Sequence, residues 1–358
     1  MPGTAQLPPA ARRRSQVTLG ELFDPRSNSL NALRLLLASL VVVSHSWVIG
    51  NLGEEPALGA RTLGAWSVLG FFGISGYLIT RSRMNGQPVS RFFRARFLRI
   101  YPGFLAALLL VAFVFAPLSV AVGSPGGFTL GDSLSYVVRN LFLYPPVVSQ
   151  TTIGTTLPEG EIWNGALWSL FWEAGCYIGV GLLGFAALRS RSTAILVTLF
   201  AGSTCLSLAA HVGWIPASEL TLAPPLMAAF SGGALLYLHA RRIRVLPALA
   251  VAVAVLLVSV ATGTATVLAP LPFALLIFAL GAVLPLNRIG ATRDLSYGIY
   301  IYGVPVQNLI EVGLPDLSLP VYLLLTFACV VPLAWASFTW VEGPAMRLKR
   351  RVRPALAV

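Results

Sequence analysis

The chain has 358 residues, 56 % of them hydrophobic and only 11 % charged. A soluble domain carries roughly a quarter charged residues, so this composition excludes an ordinary soluble globular protein and points to an integral membrane protein. The net charge of +12 would suit a nucleic-acid binder, but the positions of the charges give it another meaning, and nucleic acid is not an expected partner.

Residues 1–29 are polar, with Pro8-Pro9 and Arg12-Arg13-Arg14, and are expected to form a disordered cytoplasmic tail. No cleavable signal peptide is visible, because the first apolar run is too long for one and lacks a convincing cleavage site. From residue 30 onward, windows long enough to span hydrocarbon as helices recur. They fall at about 30–50, 63–80, 101–122, 164–187, 193–212, 222–240, 245–263, 268–285, 295–312 and 319–340.

The first span carries Arg34 and His45. Eleven residues make about three helical turns, so both lie on one stripe with Ala38 and Val41, separated by roughly 16 Å along the axis. Ionisable side chains inside a bilayer are costly and mark pathways or reactions. An imidazole can take and return a proton near neutral pH, which suits His45 to general-base work. The plainer alternatives are a histidine hydrogen-bonded within the bundle and an arginine snorkelling to the headgroups.

In the second span Gly70, Gly73 and Gly76 recur every three residues, with Ser75 between. This spacing lets a neighbouring helix or a ligand come close. Residues 81–100 follow on the inside. There Ser90 can cap a short helix after Pro88, in which Arg91, Arg94, Arg96 and Arg99 interleave with Phe92, Phe93, Phe97 and Leu98. Such a helix is expected at the interface, holding anionic lipid or a phosphate-rich ligand. The outer segment 123–163 is long, and its stretch 134–143 is expected to lie on the membrane surface.

The fourth span holds Glu173, about ten residues in from the outer side, and is expected to bring it near the depth of His45. A carboxylate there needs a partner, and an imidazole would be a fitting one. Asp294, Glu311, Glu342, His211 and His239 lie near helix ends. Cys176, Cys205 and Cys329 fall within spans in no metal-ligand spacing, so no metal is expected.

With the amino terminus inside, ten crossings put 22 of the 25 Lys and Arg residues in the cytoplasm; Arg34 is intramembrane, and Arg61 and Arg139 are outside. That obeys the positive-inside rule at every loop, so the high charge is a signature of topology. The expected organisation is an all-α, polytopic membrane protein. It comprises a tail at 1–29, a ten-helix domain at 30–342 and a basic cytoplasmic tail at 343–358. Both termini face the cytoplasm of a cell whose plasma or inner membrane holds the chain.

Several elements occur together in order: Arg34 with His45; Phe71-Phe-Gly-Ile-Ser-Gly-Tyr-Leu-Ile-Thr; Arg96-Phe-Leu-Arg99-Ile-Tyr-Pro102; Asn164-Gly-Ala-Leu-Trp168-Ser-Leu-Phe-Trp-Glu173; and Ser296-Tyr-Gly-Ile-Tyr-Ile-Tyr. The set resembles the membrane acyltransferase-3 family, bacterial O-acyltransferases that modify surface carbohydrates and related acceptors. One departure is that many relatives continue the last element with Trp-His, whereas Tyr302-Gly-Val-Pro follows here. His45 is therefore the imidazole to expect as base.

The resemblance implies transfer of an acyl group, usually acetyl, from cytosolic acyl-CoA to an acceptor hydroxyl on a glycan, a glycolipid or a small molecule. Acyl-CoA is a co-substrate, and no permanently bound cofactor is implied. His45 and Glu173 would be catalytic. Arg34, Gly73, Ser75, Gly76, Arg96 and Arg99 would bind the donor, and Asn164, Trp168 and Tyr297 the acceptor. No hydrolase-like domain is expected after residue 340. The competing expectation is a transporter or flippase for an amphipathic substrate, which buried Arg, His and Glu would also suit. Against it, no matching pair of interrupted helices is visible.

Overall fold

The computed structural model describes residues 16–124, 126–143, 153, 156–157, 162–183, 189–216 and 218–348. These are mostly helical, with α1 at Leu19–Leu22, α2 at Leu30–Ile49, α3 at Leu63–Met84, α4 at Val89–Val122, α5 at Leu130–Asn140 and α6 at Trp168–Leu183. They continue with α7 at Ser192–His211, α8 at Ala223–Leu238, α9 at Val245–Ala261, α10 at Pro270–Val283, α11 at Ser296–Gly313 and α12 at Leu319–Leu348. A two-residue hairpin, Ala57–Leu58 with Arg61–Thr62, joins α2 to α3. Among the described residues, seven helices are long and apolar enough to cross a membrane: α2, α3, α4, α7, α12 and the stretches containing α6 and α8.

Helix α3 is the most buried of these and forms the axis of the bundle. It meets α8 backbone to backbone: a Cβ at Gly76 would stand 1.9 Å from the Phe230 carbonyl oxygen, and one at Gly233 would stand 2.1 Å from that of Gly73. Only glycine permits this approach, so Gly73 and Gly76 serve helix packing. The expectation that they open a donor channel is corrected.

Helix α4 differs from the sequence reading as well. The short interfacial helix and the third span are one continuous helix of 34 residues. It starts at Val89 with Pro88 in the N-cap position, so Ser90 lies inside the helix and does not cap it. Pro102 removes only one backbone donor and the helix runs on through it, with a π-turn further along at Val111–Phe115. At 1.5 Å per residue the helix is about 51 Å long, well beyond the ~30 Å of hydrocarbon, so its basic first turns can stand clear of the apolar layer.

The amino-terminal segment is folded from Thr18 onward, contrary to the disordered tail expected over 1–29. Thr18 and Glu21 form a capping box on α1. Leu19 and Phe23, four residues apart, bury their side chains, and the ring of Phe23 meets those of Tyr77 and Phe278. Backbone bonds from Leu19 to Ile243 and from Gly20 to Ala240 complete the seam. Two large apolar anchors offset the ordering entropy that the polar composition of the tail suggested would prevail. Residues 1–15 and 349–358, parts of the two expected tails, lie outside the described residues, and 343–348 continue α12 as helix.

After α4, α5 turns Ser133 and Tyr136 inward, and the Ser133 hydroxyl donates to the Ala112 carbonyl of α4. Leu130, Leu134 and Val138, at helical spacing of four, stay exposed, the stripe an interfacial helix needs. Of the long outer loop, 144–152 and most of 154–161 lie outside the described residues.

Candidate active site

Two polar centres lie at different levels of the bundle, joined by the α2 stripe. The inner one is built on Asp294, just before α11. Its Oδ2 accepts from Arg34 Nη1 at 2.7 Å and from Arg99 Nη2 at 2.5 Å. Its Oδ1 accepts from the Ser296 hydroxyl at 2.5 Å and from the Ser296 amide at 3.2 Å, tying the carboxylate to the start of α11. Burial alone would raise this carboxyl, but the Arg34 and Arg99 guanidinium groups outweigh it and hold Asp294 well below the usual carboxylate range. Two guanidinium groups on one carboxylate leave one positive charge in excess.

Above this cluster runs a narrow cavity of about 60 Å³ lined by Arg34, Ser75, Ser169, Glu173, Ser296, Tyr297 and Tyr300, with Phe71 and Phe72 beside them. Oε1 of Glu173 accepts from the Ser75 hydroxyl at 2.8 Å and from the Tyr177 hydroxyl at 2.5 Å. Ser169 and Tyr300 share a hydroxyl–hydroxyl bond of 2.6 Å. Tyr297 donates to the Ile100 carbonyl at 2.7 Å, which fixes its ring between α11 and α4.

The outer centre is built on His45. Its Nδ1 meets Glu55 Oε1 at 2.8 Å, while Ser44 donates its hydroxyl to Glu55 Oε2 at 2.6 Å. The Gly64 amide donates to the Ser44 oxygen at 2.9 Å, so the relay is anchored to the first turn of α3. Burial pushes the Glu55 carboxyl up, but the imidazole and the hydroxyls of Ser44 and Thr62 outweigh that and lower it. The described residues give Nε2 of His45 no hydrogen-bond partner, and the side chain keeps 32 % of its surface exposed.

The levels can be compared along α3. Gly64 marks the level of Ser44 and His45, and Ser75, which holds Glu173, lies eleven residues further in, about 16 Å away. Glu173 is therefore not at the depth of His45. The expected His45–Glu173 pair is replaced by His45–Glu55, and Glu173 belongs to the inner cavity. The outermost α3 residue of that cavity is Val68, one helical turn, or about 6 Å, short of the His45 level.

Of the site residues expected from sequence, Arg34, Ser75, Glu173 and Tyr297 are brought together around the cavity. Arg99 joins them through Asp294. Arg96 lies over the Phe92 ring at 5.9 Å from its centroid, with Nε unpaired. Asn164 donates to the Ile301 carbonyl at 2.8 Å, and Trp168 packs against the core; neither lines the cavity.

Sequence reasoning passed over Glu55 and gave Asp294 little part. Signals for both existed: an imidazole within an apolar span calls for a nearby carboxylate, and Glu55 is only ten residues on. Two inner arginines likewise call for an anion, and Asp294 stands two residues before the Ser296-Tyr-Gly element.

Comparison with known proteins bears on what this arrangement serves. Residues 27–339 match the acyltransferase-3 family model, described as an acyltransferase domain. Over its length the chain is similar to an "O-acetyl transferase" of Shigella phage Sf6, 27 % identical over 93 % of this chain and 99 % of that protein. It is also similar to "Nodulation protein 10" of Rhizobium leguminosarum bv. viciae, 27 % identical over 90 % of this chain and 94 % of that protein. No solved structure matches the chain at a significant level.

Proposed function

The chain belongs to the acyltransferase-3 family, and on that premise we propose that it is an integral-membrane O-acyltransferase. It moves an acetyl group from cytosolic acetyl-CoA to a hydroxyl of a cell-envelope carbohydrate or related glycoconjugate. In this reading the chain crosses the plasma or inner membrane ten times: α9, α10 and α11 add to the seven longer spans, and both termini are cytoplasmic. The phage relative's printed name supports acetyl as the group and oxygen as its destination.

The observation that carries the reading is the stripe of α2. It has the arginine-rim cavity at its inner end and an imidazole with a carboxylate partner, and a free Nε2, at its outer end. Donor phosphates are drawn to the excess positive charge around Arg34, Arg96 and Arg99. The slender acyl-bearing arm suits a narrow cavity lined by Ser75, Glu173 and Tyr297. Bringing the thioester to His45 requires the side chains between the levels of Val68 and Gly64 to move aside.

At the outer end Nε2 of His45 takes the proton of the acceptor hydroxyl as its oxygen attacks the thioester carbonyl. The carbon–sulfur bond breaks, and the CoA thiolate leaves with the proton that His45 held. Glu55 fixes the ring through Nδ1 and balances the transient imidazolium, the role of the carboxylate in a Ser-His-Asp triad. Glu55 is thus a positioning residue.

Purified protein given acetyl-CoA and an envelope glycan fraction should release CoA thiol and acetylate the glycan. H45A should lose about a hundredfold or more of that rate, and E55Q a comparable amount with an unchanged melting temperature. Full activity in H45A overturns the mechanism. Wild-type protein that moves glycolipid across vesicles without releasing CoA thiol overturns the transferase reading.

A further inference from the structure

A second cavity, of about 810 Å³, opens at the inner ends of α3, α7 and α8 beneath the folded amino-terminal segment. Its lining includes Arg81, Arg189, Arg241, Arg242 and His239, and no carboxylate is among the described residues that line it. The ion pairs among the described residues all lie elsewhere, at Asp294 and Glu55. Arginines on cytoplasmic loops follow from topology alone. Four of them converging on one hollow with no ion-pair partner among the described residues do not, since mutual repulsion favours their spreading apart.

The hollow is built from fixed parts. Arg189 donates to the Met84 carbonyl at 2.8 Å, which ties the start of α7 to the end of α3. The stem of Arg241 packs on Gly20, where a Cβ would stand 3.2 Å from its Cγ. One wall is aromatic: the Tyr77 ring meets Phe23 and Tyr237 edge-on, each at 5.4 Å between centroids.

This hollow is separate from the reaction cavity. Tyr77 and Arg81 lie on a different face of α3 from Ser75, since two residues turn the helix by about 200°. The two cavities share no lining residue, and Tyr77 meets Phe278 in a tilted contact with 4.2 Å between centroids.

We propose that this hollow is a second binding site, for an organic phosphate whose phosphate groups pair with Arg81, Arg241 and Arg242 and whose remaining body lies against Tyr77, Tyr237 and Phe23. A nucleotide from the cytosol and the headgroup of an anionic phospholipid share that chemistry. Guanidinium forks pair phosphate oxygens two at a time, and the aromatic wall accepts a planar or apolar body. The inference stands apart from the acyl-transfer reading, because it concerns a cavity the proposed reaction does not use.

The test uses the full chain in nanodiscs of zwitterionic lipid, titrated separately with adenosine 5′-triphosphate, which is not a fragment of the acyl donor, and with a short-chain phosphatidylglycerol. Wild-type protein should bind at least one probe, and R81Q/R242Q should bind it about tenfold or more weakly. R34Q, in the reaction cavity, should keep that affinity. Saturation by the nucleotide identifies a cytosolic source, and saturation by the lipid alone identifies a headgroup. Binding of neither probe, or loss in R34Q with retention in R81Q/R242Q, overturns the proposal.

Discussion

Asp294 is the residue on which the inner end of the molecule is organised. It joins α2, through Arg34, to α4, through Arg99, and caps the start of α11 through Ser296. Removing one partner of a buried ion pair leaves the others uncompensated, at a cost of about 3–5 kcal/mol. D294N should therefore lower the melting temperature of the detergent-solubilised protein clearly. The pH dependence follows from direction. A carboxyl lowered in the folded state contributes stability that is fully present above its ordinary value, 3.8, and lost as pH falls through the depressed one. The gap between wild type and D294N should stay constant from about pH 5 to 8 and narrow only in stronger acid. A gap that closes near neutrality would show that the carboxylate is not held by the two arginines.

At the scale of elements, α3 and α8 show how a glycine pattern divides into roles. Gly76 sits against the Phe230 carbonyl, so even a methyl group must push two helices apart; overpacking of this kind costs about 1–3 kcal/mol or more. Gly202 in α7 has nothing within 4 Å of a Cβ, and alanine is the better helix former there. G76A should melt at a lower temperature than wild type, and G202A at the same temperature or slightly higher. Equal melting of G76A and wild type would mean the backbone contact is not tight. The spacing of Gly70, Gly73 and Gly76 was visible in the sequence, but not which partner each glycine met. Repeats of small residues look alike whether a helix or a ligand fills the gap. Helix α1 was illegible for another reason: four residues carry no periodicity, and its stability comes from contacts with Ala240, Ile243, Tyr77 and Phe278, all far away in the chain.

Across the whole molecule, two polar centres lie about 16 Å apart along one helix, and the proposed function assigns the donor to the Asp294 level, on the cytoplasmic side, and the transfer step to His45–Glu55, towards the far side. This orientation can be checked with single cysteines in a cysteine-free background. A membrane-impermeant thiol reagent applied to intact cells should label E54C, and N287C only after permeabilisation; the opposite pattern overturns the topology. The sequence by itself determined the helical membrane class and the ordered elements that mark the family, and it sets the expected sidedness of the arginines. Each follows from local composition and from solvent, since a bilayer selects long apolar runs and keeps cations on one face. Which carboxylate serves His45, which anion gathers Arg34 and Arg99, and which glycines touch helix and not ligand were decided by tertiary structure alone. Those pairings depend on how far helices slide past one another, and the pattern of apolar residues leaves that offset open until side chains pack.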